Sequence, residues 1–258
     1  MYSIDLSGKT GIIFGVANQR SIAWSIAEIL HEAGAKLALA YQTERVRGNV
    51  EALTGSWDHA LLIECDAAED SNVAAAFERV GEQFGGLNII VHSIAFANRE
   101  DLGGRFVDTG REGFRIALDI SAYTLLPLAR YGAPLMAAAG GSIVTLTFQA
   151  STRAFPGYNI MGTAKAALEN EVRLLAADLG EDKVRVNAIS AGPLDTLSSR
   201  VIGRYRDMKR IAAERSPMRR NITHEEVAKT ALFLCSDLSS GITGEIIHVD
   251  AGYNIMGI

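Results

Sequence analysis

Cysteine is nearly absent. Two residues, Cys65 and Cys235, in a chain of 258 cannot build a disulfide framework, and no Cys-x-x-Cys pair or Cys/His cluster points to zinc. A reducing compartment is expected. A surplus of positive charge is missing too. The 25 basic and 30 acidic residues leave a net charge of −5, so no broad basic field exists for nucleic acid. No run of about 18 uninterrupted apolar residues occurs, the length a bilayer demands; residues 11–17 are far too short. The first residues, Met-Tyr-Ser-Ile-Asp, carry an acid and no basic leader, so a secretory signal is not expected. The protein is expected in the cytoplasm, off the membrane. Proline is also scarce, with five residues at 127, 134, 156, 193 and 217, and no linker, repeat or low-complexity tract divides the chain. Composition is nonetheless that of a folded protein, 48% hydrophobic and 21% charged, which excludes intrinsic disorder. One domain spanning 1–258 is expected.

What is present is a strict alternation. Short apolar runs at 11–14, 36–41, 61–65, 88–92, 142–147, 184–190 and 245–249 are rich in Ile, Val and Leu and do not alternate polar with apolar. Strands buried on both faces have this pattern, which points to a parallel sheet. Between them, 21–35, 44–54, 69–84, 112–136, 158–179 and 224–236 show helical spacing. About seven strands and six helices in turn predict an α/β fold, a Rossmann-like doubly wound parallel sheet with helices on both faces. Stretches 96–111 and 194–221 fit neither element. Each follows a strand's C-terminal end, the edge where open α/β sheets bind ligands and where lids and substrate walls belong. A substrate-binding lid is expected at about 194–221.

The first strand ends at Gly15 and a helix opens at Ser21-Ile22-Ala23. Gly15 would let backbone pass close to a phosphate, and the helix N-terminus would attract its charge. The full Gly-x-Gly-x-x-Gly fingerprint is absent, so a plain turn with Ser21 as N-cap is the competing reading. In a dinucleotide fold the end of the second strand meets the adenine ribose. Gln42 stands there, neither acid nor base, and nothing at 41–43 neutralises a 2′-phosphate, which favours NADH over NADPH, with Arg45 and Arg47 nearby as the observation against. Asp66, with Ala67 behind the third strand, is placed to bond adenine or to cap the next helix. Ser93, Ile94 and Ala95 follow the fourth strand, small enough for a cofactor to approach. His31, His59, His92, His224 and His248 are scattered without metal-ligand spacing; His92 and His248 lie in strand patterns and read as core residues. No metal is expected.

The richest stretch is Tyr158-Asn-Ile-Met-Gly-Thr-Ala-Lys165. On a helix, seven residues fall 20° short of two turns, so both long side chains would share one stripe about 10 Å apart. Short-chain dehydrogenases acting on alcohols and ketones carry lysine four residues after the tyrosine, where this chain has Gly162. Tyr-x6-Lys, the Gly15…Ser21-Ile-Ala turn, Gln42, His92-Ser-Ile-Ala-Phe-Ala97, Asp119-Ile-Ser121, Ser190-Ala-Gly-Pro-Leu-Asp-Thr196 and the segment 236–250 together resemble the enoyl-acyl-carrier-protein reductases. These are a divergent branch of the short-chain dehydrogenase/reductase superfamily. The likeness runs from about residue 3 to 253.

The resemblance implies an NADH-dependent reduction of trans-2-enoyl thioesters on acyl carrier protein, in type II fatty acid synthesis, by a homotetramer. It implies that Tyr158 donates to the thioester oxygen and that Lys165 holds the nicotinamide ribose. By the same likeness Leu194 clasps the nicotinamide amide through its backbone, Thr196 contacts pyrophosphate, and 197–213 is a mobile lid. Phe96, Ala97, Leu102, Phe148, Met161 and Tyr205, with Met208, are expected to line the acyl site. Two positions depart from the family pattern. Phe148 stands where many members have a second tyrosine, and Asp195 where arginine is common; the acid is expected to point outward. Residues 198–220 hold eight basic groups, among them Arg200, Arg204, Arg206, Lys209, Arg210 and Arg215, against two acids. Such a patch suits an acidic carrier or is a solvated face with internal ion pairs. The competing functions are a short-chain carbonyl (3-oxoacyl) reductase and a non-catalytic NAD-binding sensor.

Overall fold

The computed structural model describes residues 4–58, 60–197, 199, 202–203 and 205–257. Seven strands form one sheet: β1 (Thr10–Phe14), β2 (Lys36–Tyr41), β3 (Leu61–Glu64), β4 (Ile89–His92), β5 (Gly141–Thr147), β6 (Val184–Ala191) and β7 (Ile246–Val249). Their order is β3-β2-β1-β4-β5-β6-β7 and every pairing is parallel. Each expected strand is found within a residue or two of its expected ends. The winding reverses between β1 and β4, and Phe14 stands in register with Ala40 on one side and His92 on the other. A crevice opens at such a switch point, beyond the strands' C-terminal ends.

The helices are α1 (Ile22–Glu32), α2 (Glu44–Thr54), α3 (Asp70–Phe84), α4 (Arg111–Leu118), α5 (Leu125–Met136), α6 (Ile160–Leu179), α7 (Tyr205–Arg215) and α8 (His224–Cys235). Successive strand residues face opposite ways, and two cores follow. Ile13, Leu37, Leu39, Val91, Val144 and Ile189 pack with α1 and α8. Ile12, Phe14, Ala38, Ile90, Ile143 and Val186 pack with α3, α5 and α6. Gly132 brings α5 onto β4, because a Cβ there would lie 2.3 Å from Ile90 Cδ1.

Four expectations need correction. The helix expected over 112–136 is two helices joined by a π-helical turn, Asp119–Tyr123. The stretch 194–221 contains α7, whose sequence hides it: only Ala212 is buried, and an Arg210–Glu214 pair at 2.9 Å supports the turn in place of an apolar stripe. The stretch 96–111 holds two short 3₁₀ turns, Arg99–Leu102 and Phe106–Asp108. His248 is exposed, not core, because β7 is the sheet's last strand and packs on one side only. His92 is the core residue expected, with both ring nitrogens bonded, to Thr145 Oγ1 at 2.7 Å and Thr124 Oγ1 at 2.9 Å. His59 lies outside the described residues. Among those described, no helix is long and apolar enough to cross a membrane.

α8 begins with a reciprocal cap. Thr223 Oγ1 accepts from the Glu226 amide at 3.2 Å, and Glu226 Oε2 accepts from the Thr223 amide at 2.9 Å. Thr223→Ala is expected to lower stability by about 1 kcal/mol. Urea unfolding checks this; an unchanged midpoint would mean the cap contributes nothing.

Candidate active site

A cavity of about 550 Å³ lies at the switch point. It is lined by Gly15, Ser21, Ile22, Gln42, Asp66, Ala67, Ser93, Ile94, Ala95, Phe96, Phe148, Tyr158, Lys165, Leu194, Thr196, Tyr205 and Met208. The sheet edge and its loops therefore gather most of the expected residues. Three are not among its lining. Ala97, Leu102 and Met161 are buried in a small separate cluster with Ala117 and Ile160, against which Tyr158 packs. They support the wall from behind. Their small or apolar character reads the same in either place, which is why the sequence could not separate a wall from its backing.

One end of the cavity is built for close approach. Gly15 has φ +99°, and a Cβ there would sit 2.1 Å from the Ser93 carbonyl oxygen; only glycine permits β1 and β4 to turn out this near each other. Ser21 stands at the N-cap position of α1 but makes no cap bond. Its Oγ turns back and accepts from the Ala17 and Asn18 amides at 3.1 and 3.2 Å, closing the turn. Ser21 therefore gives α1 no side-chain cap, and only its carbonyl meets the helix, accepting from the Trp24 and Ser25 amides at 3.0 and 3.4 Å. A glycine-lined turn leading to an uncapped helix start suits a pyrophosphate. Asp66 does not cap α3, whose N-cap is Glu69. Its Oδ1 accepts from the Ala68 amide at 3.1 Å, with Gln42 Nε2 at 3.5 Å. The two residues expected at the adenosine end therefore adjoin each other.

At the other end stand the tyrosine and the lysine. The shared stripe does not exist, because α6 begins at Ile160 and Tyr158 sits in the turn before it. That turn is closed by the Met161 amide donating to the Tyr158 carbonyl at 3.1 Å, and Asn159 takes φ +37°, ψ −119°, a conformation costly for a side-chain-bearing residue. Asn159 Nδ2 donates to the Gly103 carbonyl at 2.8 Å, tying the turn to the loop after β4. Lys165 does lie on α6. It is only 4% exposed and donates from Nζ to the Leu146 carbonyl of β5 at 2.8 Å. Burial brings its pKa down to about 8, with Glu169 acting in the opposite direction. Burial raises the Tyr158 phenol above its usual value, and Tyr205 adds to the shift. Phe148 stacks at a tilt on Phe155 and Tyr158, with ring centroids 4.8 and 4.9 Å apart. It is an apolar wall that fixes the Tyr158 ring and offers no second hydroxyl.

Several contributors were not assigned a role from the sequence. Ser121, in the π-helical turn, donates to the Phe96 carbonyl and accepts from the Phe96 amide, both at 2.9 Å, and so pins the wall residue. Thr147 lines the cavity as well. On the far rim, the Tyr205 hydroxyl donates to the Leu194 carbonyl, and Thr196 Oγ1 accepts from the Ser199 amide at 3.1 Å. Asp195 does point outward, pairing with Lys209 at 2.5 Å. Burial and Lys165 bring His92 down to about 3. Thr124 spends its hydrogen on the Ile120 carbonyl at 2.8 Å, so His92 Nε2 carries the proton shared with Thr124 and Nδ1 accepts from Thr145. His92 is structural and neutral. Among the described residues no cluster of His, Cys, Asp or Glu could hold a metal ion.

Known proteins resemble this chain over nearly its whole length. A family model described as enoyl-(acyl carrier protein) reductase matches residues 15–254. A Bacillus cereus protein named enoyl-acyl-carrier-protein reductase (NADH) FabI is 50% identical, over 98% of this chain and 99% of its own. A Staphylococcus aureus relative named as the NADPH form is 47% identical, over 97% of this chain and 98% of its own. A crystal structure of the enoyl-acyl-carrier-protein reductase from Anaplasma phagocytophilum in complex with NAD superposes with a TM-score of 0.95 at 42% identity, covering 100% of this chain and 98% of that one.

Gly15→Ala is expected to weaken dinucleotide binding by at least about tenfold, some 1.4 kcal/mol, because the new methyl group meets the Ser93 carbonyl. Fluorescence titration with NADH, on protein shown by its thermal melt to be folded, measures this. Wild-type affinity would remove the Gly15 turn from the cofactor seat.

Proposed function

The chain belongs to the enoyl-(acyl carrier protein) reductase family, and on that premise we propose that Tyr158 and Lys165 carry out the NADH-dependent reduction of trans-2-enoyl thioesters. The reaction belongs to type II fatty acid synthesis and its substrate rides on acyl carrier protein. The observation that carries the site assignment is that a partly buried tyrosine and a buried lysine line the same cavity as the Gly15 turn. Residues present fit a nicotinamide dinucleotide: Gly15, the start of α1 and Thr196 would seat the pyrophosphate, Gln42, Asp66 and Ala67 the adenosine, and Ser93, Ile94, Ala95, Lys165 and Leu194 the nicotinamide half. When bound, NADH supplies the hydride that reaches the β carbon. Gln42 provides an uncharged amide for the ribose, and the nearby Arg47 is already held by Glu44 at 3.3 Å and Glu51 at 2.7 Å. Arg45, exposed and outside any ion pair among the described residues, is the remaining nearby positive charge, and the preference for NADH rests on Gln42.

As the β carbon is reduced, negative charge develops on the thioester oxygen. Tyr158 keeps its proton well above neutral pH, so its phenol donates a hydrogen bond to that oxygen and relays the proton that ends on the α carbon. A donor so placed contributes about 10²–10³ in rate. Lys165 holds the ribose hydroxyls and adds positive charge beside the developing enolate. Phe96 and Phe148 keep water from the chain. The region 194–221 forms a lid, with Tyr205 and Met208 reaching the cavity from α7.

The basic surface of the lid is divided. Lys209, Arg210 and Arg220 are in ion pairs with Asp195, Glu214 and Glu226. Among the described residues Arg206, Arg215 and Arg219 enter none, Arg219 donating to the Glu214 carbonyl instead, and Arg206 and Arg215 are the groups offered to an acidic carrier; Arg200 and Arg204 lie outside the described residues. We place the enzyme in the cytoplasm as a homotetramer, on family likeness.

Gly162 speaks against a carbonyl reductase. A Cβ at that position would lie 2.8 Å from the Ala150 carbonyl oxygen, so the lysine of that class has no room. Absorbance at the NADH band is expected to show crotonyl-CoA consumed and acetoacetyl-CoA untouched. The reverse selects the ketone reductase, and silence with NADH bound selects the sensor. Tyr158→Phe is expected to lower kcat about 10²–10³-fold with NADH affinity kept; unchanged turnover removes the phenol from the mechanism. NADH affinity is expected to be level below neutrality and to fall as pH rises through about 8, where Lys165 loses its proton. Lys165→Ala should be weak throughout, and a pH-independent wild type would contradict the ribose role. Arg206→Glu is expected to slow carrier-linked substrate more than the coenzyme A form; equal losses would mean this face is not the dock.

A further inference from the structure

We propose that Glu169 is a positioning residue for this reaction, its buried carboxylate serving as the counter-charge that keeps the Lys165 ammonium protonated beside the dinucleotide. The proposal rests on the assignment of Lys165 given above. Glu169 follows Lys165 by four residues on α6, one helical turn, and is itself only 5% exposed. An acid buried between a helix and a sheet is unfavourable unless a charge or hydrogen bond compensates it. Here Thr147 Oγ1 donates to Glu169 Oε1 at 2.8 Å. Thr147 is the neighbour of Leu146, whose carbonyl receives Lys165 Nζ. Two consecutive residues at the C-terminal end of β5 thus hold the ammonium and the carboxylate, and both Leu146 and Thr147 line the cavity. Glu169 does not; it acts through Lys165 and touches neither cofactor nor substrate.

The other ionisable groups around Lys165 cannot fill this part. His92, from β4, is neutral because burial and the lysine itself suppress its protonation. Tyr158, in the turn before α6, keeps its proton, and Tyr205, from α7, is likewise raised, to about 12. Among the described residues only Glu169 offsets the burial of the ammonium, and it does so in the raising direction. Without it the lysine would shed its proton at lower pH and lose both the ribose bond and the positive charge.

The test compares wild type, Glu169→Gln and Glu169→Asp. NADH dissociation constants from fluorescence, and KM and kcat with crotonyl-CoA, are measured from pH 6 to pH 9. Glutamine keeps an oxygen for the Thr147 hydroxyl and loses only the charge. For Glu169→Gln, affinity close to wild type is expected at pH 6, with the basic limb displaced to lower pH by about one unit. Affinity would then be about fivefold weaker at pH 8 and approach about tenfold weaker at pH 9, an effect seen in the KM for NADH before kcat. Glu169→Asp is expected to restore most of the limb. A Glu169→Gln profile that overlies wild type, or lies below it by the same factor at every pH, overturns the proposal. Should Glu169→Gln fail to fold, Glu169→Met, which removes the charge at similar length, must show the same displacement; a wild-type limb there overturns it too. Wild type that neither binds NADH nor reduces crotonyl-CoA instead defeats the underlying reading of the site.

Discussion

The structure turns on one ammonium group taken out of water. Lys165 is held between α6 and β5 by a single backbone carbonyl, at 4% exposure, and a charge in that position is stable only if its surroundings are arranged for it. The arrangement accounts for much that surrounds it. A carboxylate one turn further along α6 supplies opposite charge, a threonine hydroxyl holds that carboxylate, and the imidazole on β4 stays neutral. Its own two threonines satisfy that ring, so it neither competes for the lysine nor repels it. Three polar groups that would each be out of place in an apolar core become acceptable together.

The sheet's connectivity supplies the space. Because the winding reverses between β1 and β4, the loops after these strands part and leave a crevice, while those after β5 and β6 close its far side. Close approach depends on backbone that a side chain would obstruct, in the crevice at Gly15 against the Ser93 carbonyl and on α6 at Gly162 against the Ala150 carbonyl. The second contact also separates this family from its ketone-reducing cousins in physical terms. The turn of the neighbouring 3₁₀ segment, Gln149–Ser151, occupies the place where a longer side chain on α6 would start.

The strands were legible because burial on both faces leaves unbroken runs of Ile, Val and Leu, a signal each residue carries by itself. The pairing of Tyr158 with Lys165 was legible as well, though for the wrong geometric reason. Helical periodicity was extended two residues too far, and the turn that actually presents Tyr158 is set by the backbone of Asn159, which no propensity announces. α7 escaped because ion pairs replace its apolar stripe. His248 was misplaced because an edge strand and an interior strand look alike until their neighbours are known. For the same reason Ala97, Leu102 and Met161 were assigned to the cavity surface when they form its backing, since only the fold decides which of two apolar layers faces the opening.

The strained residue beside the tyrosine clarifies how the site is held together. Asn159 adopts a conformation costing about 1–3 kcal/mol for a non-glycine residue, and glycine would relieve it. Glycine, however, has no side-chain amide to donate to the Gly103 carbonyl, the bond that fastens the loop after β4 to the turn carrying Tyr158. Ser121 pins that same loop nearer its start, through both backbone groups of Phe96. With the loop tied at its two ends, the wall it forms and the phenol it faces keep a fixed relation. An asparagine here thus trades local strain for rigidity of that wall, which suits the donor role proposed for Tyr158: a hydrogen bond preorganised for the charge contributes most when nothing has to move as the charge appears.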